Sequence, residues 1–96
     1  MDRAQAIGLL RQSKADLASR YGVTRLALFG SVARDAARED SDVDILVAFD
    51  GPATSQRYFG VQFFLEDLLG RPVDLVTEKA LREELRPFVE KEAIRV

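Results

Sequence analysis

The stretch Gly30–Phe49, GSVARDAAREDSDVDILVAF, decides how this chain is read. It opens on a Gly-Ser pair directly after an apolar run, VTRLALF (23–29), and closes on a second apolar run, VDILVAF (43–49). Two acids, Asp42 and Asp44, stand one residue apart at the start of that second run. Side chains two apart on a strand share a face. At ~3.3 Å per residue, the two carboxylates lie roughly 6–7 Å apart along the backbone, within reach of a shared cation.

Working outward, Ala6, Ile7, Leu10, Leu17 and Tyr21 recur at helical spacing and predict a helix over 2–20, with Lys14 interrupting its apolar face as a snorkelling lysine. Gly22 ends it. VTRLALF is a strand. Ser31 is expected to N-cap a short helix running to about Ala37, and 38–41 forms a polar turn. VDILVAF is the second strand, with Asp42 at its lip, and Asp50-Gly51-Pro52 is a turn signal. Residues 54–69 form an apolar helix with Tyr58, Val61, Leu65, Leu68 and Leu69 on its core arc. Phe59 and Phe63, four apart, point elsewhere and are either covered by the C-terminal segment or left as an interface patch. Gly70 stops that helix, Pro72 opens a third strand, VDLVT, and 79–85 reads as helical. Pro87 suits the first turn of a further helix, and 93–96 either finishes that helix or forms an edge strand.

The crossover from strand two through the 54–69 helix makes strands two and three parallel. An antiparallel pairing of strands one and two would bring Gly30-Ser31 and both aspartates to one sheet edge. The expected fold class is therefore α/β (α+β): a small mixed sheet of three or four strands flanked by helices, in a single domain spanning 1–96. Asp74, near the start of the third strand, would arrive at the same edge. Three gathered carboxylates repel one another unless cations are present. Two Mg²⁺ ions roughly 4 Å apart would relieve that repulsion and clamp a reacting phosphate.

Composition narrows the chemistry. The chain has 96 residues, a net charge of −2, no cysteine and no histidine. Disulfides, thiolate sites and imidazole bases are excluded, and acid–base or metal chemistry falls to Asp and Glu oxygens, which favour Mg²⁺ or Mn²⁺. The charge balance argues against direct nucleic-acid binding. The N-terminal residues do not read as a signal peptide and no apolar run is long enough to span a bilayer, so a cytoplasmic setting is expected. Gly30 allows close backbone approach to a phosphate, and the following helix start favours an anion. An anion site beside a metal site implies a metal-bound nucleoside triphosphate. Arg34 and Arg38 either sit on a solvated helix face or neutralise that triphosphate, with Arg34 the better placed.

The pattern of Gly-Ser, a short helix, Asp-x-Asp at a strand start and a later third aspartate resembles the polymerase-beta-like nucleotidyltransferases. More narrowly it is similar to the minimal nucleotidyltransferase family. The family's stretch usually reads GSxARGxARPDSDxDLLV; here it reads GSVARDAAREDSDVDILV, with Asp74 in RPVDLV as the third acid and LRPFVEKEAIRV as a family-like tail. Asp35 stands where glycine is usual and Glu39 where proline is usual, both adding negative charge near the expected triphosphate.

That resemblance implies a nucleotidyltransferase fold and a set of roles. Asp42 and Asp44 would hold Mg²⁺, Asp74 would complete the metal site and help deprotonate an acceptor hydroxyl, and Gly30, Ser31 and Arg34 would hold the nucleotide's phosphates. The hydroxyl would attack the α-phosphorus of ATP and release pyrophosphate. The resemblance also implies a partner: a HEPN-type (higher-eukaryote-and-prokaryote nucleotide-binding) ribonuclease toxin, adenylylated on a tyrosine within a hetero-oligomer, with this chain as antitoxin. The alternatives are an antitoxin acting by contact alone and transfer to a small molecule such as an aminoglycoside.

Overall fold

In a computed structural model of the chain, residues 1–38 and 40–96 are described. The elements run α1 (Arg3–Tyr21), β1 (Val23–Phe29), α2 (Gly30–Ala33), β2 (Val43–Phe49), α3 (Ser55–Leu69), β3 (Val73–Thr77), α4 (Arg86–Glu92) and β4 (Ile94–Arg95). The sheet order is β3-β2-β1-β4. β1 is antiparallel to both β2 and β4, and β2 is parallel to β3. The mixed sheet and the parallel crossover through α3 match expectation, and of the two readings of 93–96 the edge strand is the one that forms.

Register sorts the two sheet faces. Leu28 stands opposite Ile45 and Leu26 opposite Val47, while Val43 and Ile45 pair with Val73 and Leu75. These residues are buried with Ala6, Leu10 and Leu17 of α1 and Val61, Leu65 and Leu69 of α3 in one core. The alternate residues face the other way, and among them are Phe29, Asp44 and Asp74.

Local chemistry fixes the helix ends. Asp2 caps α1 through a reciprocal pair with Gln5: the Gln5 N–H donates to Asp2 at 2.8 Å and the Asp2 N–H donates to Gln5 at 3.1 Å. Gly22 and Gly70 close α1 and α3 in the left-handed conformation, and Thr54 caps α3. Lys14 does not occupy the core face of α1: it is exposed, and Ser13 takes the buried place, its hydroxyl donating to the Leu10 carbonyl at 3.0 Å.

Two helix expectations need correction. α2 starts at Gly30 and stops at Ala33, so Ser31 lies within it and does not cap it; Phe29 holds the cap position without a side-chain bond. Gly30, at φ +73°, turns the chain one residue earlier than expected, and Asp35, at φ +59°, breaks the helix before Ala37. Residues 79–85 are turns, not helix. Ala80 N–H donates to the Thr77 carbonyl, Leu81 to Glu78, and Leu85 to Arg82. That segment is mostly exposed, and with no face to bury, its helix-forming residues do not offset the cost of nucleation.

Candidate active site

The ends of three elements meet at one lip of the sheet. Asp42 is exposed and directly precedes β2, and Asp44 is half-buried within it. Asp44 stands beside Asp74 on the parallel neighbour and opposite Phe29 on the antiparallel one. The residue after Phe29 is Gly30, so β-pairing alone carries the Gly-Ser turn to the carboxylates.

The glycine is required there twice over. Its φ of +73° disfavours any side chain, and a Cβ at this position would overlap the Asp44 carboxylate. Burial raises the Asp44 pKa to about 6, aided by the negative charges of Asp74 and Asp42 and a hydrogen bond to Asp74, while Arg34 pulls it down. Asp44 therefore senses both other acids and the arginine, and the four residues form one electrostatic unit.

Arg34 follows α2 and donates to Glu92 at 2.8 Å. Arg38 is exposed, and its N–H donates to the Ser41 hydroxyl in the preceding turn to β2. Asp35 does not face the carboxylates: its side chain accepts the Arg3 N–H at 3.2 Å, at the start of α1. Its charge meets the positive end of a helix there. Asp35 adopts a left-handed φ, which explains how it stands where glycine is usual. Glu39 lies outside the described residues.

All three acids offer hard oxygen ligands, and a cation would relieve the repulsion at Asp44. Among the described residues, no three carboxylates are already drawn into a closed cage around one point. Mg²⁺ is typically held by one or two carboxylates and completes its shell with substrate phosphates and water. A cavity of about 410 Å³ lies elsewhere, lined by Arg25, Ala27, Leu46, Glu78, Glu90 and Arg95. Asp42 and Asp74 are exposed at this lip, and Asp44 is half-buried between them.

Glu92 was not legible in the sequence as a site residue. It lies 62 residues from Gly30, and an acid in a charged C-terminal helix carries no spacing signal. Only the pairing of β4 with β1 brings it to the turn.

A mixed four-stranded sheet with acids at the lip of its parallel pair, β2 and β3, beside a Gly-Ser turn, defines a nucleotidyl-transfer architecture. The family described as nucleotidyltransferase domain matches residues 10–96. The chain is 39% identical to the protein adenylyltransferase MntA of Thermococcus cleftensis, across 92% of this chain and 89% of that protein. A solved structure described as a candidate minimal nucleotidyltransferase superposes with a TM-score of 0.84 at 43% identity, covering 100% of this chain and 97% of that one. A tri-AMPylated HEPN toxin in complex with its MNT antitoxin, from Shewanella oneidensis, gives a TM-score of 0.60 at 22% identity, covering 97% of this chain and 66% of that one. This chain belongs to the nucleotidyltransferase domain family.

Proposed function

We propose that this chain is an Mg²⁺-dependent nucleotidyltransferase that moves AMP from ATP to a tyrosine hydroxyl of a HEPN-type ribonuclease toxin, and so acts as an antitoxin in the cytoplasm. The observation that carries the reading is the side-by-side register of Asp44 and Asp74 against Gly30, with Arg34 within their field. The likeness to MntA of Thermococcus cleftensis supports protein adenylylation as the activity.

Asp42 and Asp44 would hold the metal, with Asp74 completing the set; the metal would neutralise phosphate charge. Gly30 and Ser31 would receive the β- and γ-phosphates. Asp74, exposed at the lip, accepts the proton of the acceptor hydroxyl as its oxygen attacks the α-phosphorus. The bond to the bridging oxygen breaks, and pyrophosphate leaves with that electron pair, its charge met by Arg34. The chain positions and neutralises; it forms no covalent bond of its own.

The test is mass spectrometry of the proposed HEPN-type toxin partner after incubation with the chain, ATP and Mg²⁺. One or more added AMP units is the expected result, and a toxin of unchanged mass sinks the reading.

One observation favours a second reading, neutralisation by contact. Phe59 and Phe63 remain 50% and 62% exposed, so the C-terminal segment does not cover them. Their rings stack with centroids 6.3 Å apart, and Tyr58 packs edge-on against Phe59. If the Asp42→Ala, Asp44→Ala double variant still neutralises the toxin, contact suffices.

A further inference from the structure

Both groups assigned to the phosphates share one other neighbour. Glu92, the last residue of α4, accepts the Gly30 N–H through Oε1 at 3.0 Å and the Arg34 guanidinium through Oε2 at 2.8 Å. A single carboxylate thus spans the turn and the arginine. Glu92 is itself anchored: two residues later Ile94 pairs with Leu28 in the sheet.

We propose that Glu92 is a positioning residue for the nucleotide, holding the Gly30 peptide and the Arg34 guanidinium in the arrangement that receives the phosphates. The inference rests on the nucleotidyltransferase reading above. α2 is a four-residue helix with no side-chain cap, too short to fix its own first peptide. Gly30 must nevertheless stay in its left-handed conformation for Asp44 to fit against it. Glu92 supplies the missing acceptor from outside.

Arg34 is long, with its side chain 56% exposed, and unrestrained it would lose rotamer freedom on meeting a phosphate. Its bond to Glu92 settles much of that ordering in advance, which is how preorganisation raises affinity. A guanidinium carries five N–H donors, so one bond to Glu92 leaves others for a ligand. The opposing effect is repulsion between Glu92 and a triphosphate. The Arg34 charge beside it offsets that repulsion.

A double-mutant cycle on nucleotide binding tests the inference. The dissociation constant of Mg²⁺–AMP-PNP is measured by calorimetry for wild type, Glu92→Gln, Arg34→Ala and the double variant, with melting curves for each. Glutamine keeps an oxygen for the Gly30 N–H but loses the charge that holds Arg34. Glu92→Gln should weaken binding about fivefold to tenfold with little change in melting temperature, and should change it less than about twofold in the Arg34→Ala background. Equal weakening in both backgrounds, unchanged affinity, or tighter binding each overturns the inference. Tighter binding would mean that Glu92 competes with phosphates for the same donors. A wild-type chain that binds no AMP-PNP removes the proposed function and this inference together. Normal binding with a toxin that is never modified removes only the acceptor.

Discussion

Replacing Gly30 with alanine tests the join between fold and site at one atom. The residue sits at φ +73°, where an L side chain costs about 1–2 kcal/mol. The new Cβ would also overlap the Asp44 carboxylate. That carboxylate must rotate away, and an off-rotamer side chain costs a further ~0.5–1.5 kcal/mol. Together these come to about 1.5–3.5 kcal/mol, and at about 4–8 °C per kcal/mol for a domain of this size the melting temperature should fall by roughly 6–28 °C. Moving Asp44 by about 1 Å should cost roughly 100-fold in AMP transfer, since displacements of that size around reacting groups have such effects. Circular dichroism melts and transfer assays read the two effects separately. Gly8 supplies the control: it lies inside α1, and a Cβ there meets nothing within 4 Å. Gly8→Ala should stabilise the fold by about 0.5–1 kcal/mol without altering transfer. A Gly30→Ala protein that melts and transfers like wild type would refute the reasoning.

Three further outcomes follow from the packing and charge. Leu65 is fully buried between α3 and the sheet, and Leu65→Ala should cost about 2–5 kcal/mol in chemical denaturation. The pKa of Asp44 is raised from 3.8 to about 6, so the folded state binds a proton there that the unfolded chain releases between those values. Metal-free stability at this site is therefore fully present below about pH 4 and lost as pH rises through about 6. Asp44→Asn should raise the melting temperature of the metal-free protein at pH 8, and the gain should vanish by pH 4. Mn²⁺ binding to wild type, followed by paramagnetic resonance, should weaken as pH falls through about 6, because protons then compete for Asp44.

The sheet was readable because its signals are local. Val23–Phe29 and Val43–Phe49 are apolar strands bounded by glycine or turn residues, and α3 is a long periodic helix between two strands, which forces the crossover. The neighbouring positions of Asp44 and Asp74 were readable because strand periodicity and parallel register convert sequence position into a shared edge. What failed was set by distant contacts. α2 ends early because Asp35 turns left-handed and reaches Arg3, 32 residues away, and its first N–H is met by Glu92. The 79–85 segment has helix-forming residues but nothing to pack against, and its turns are held by Thr77, Glu78 and Arg82 carbonyls. Propensity describes a segment alone, and these two segments are decided by what surrounds them.

The central claim is that the Asp42, Asp44 and Asp74 lip transfers a nucleotidyl group, and isotope labelling addresses it directly. The chain is incubated with the proposed HEPN-type toxin partner, Mg²⁺ and ATP labelled at either the α- or the γ-phosphorus. The account predicts that α-label enters the toxin, that γ-label leaves as pyrophosphate, and that Asp44→Asn abolishes both. Label entering the toxin from the γ-position, or α-transfer that survives Asp44→Asn, would contradict it.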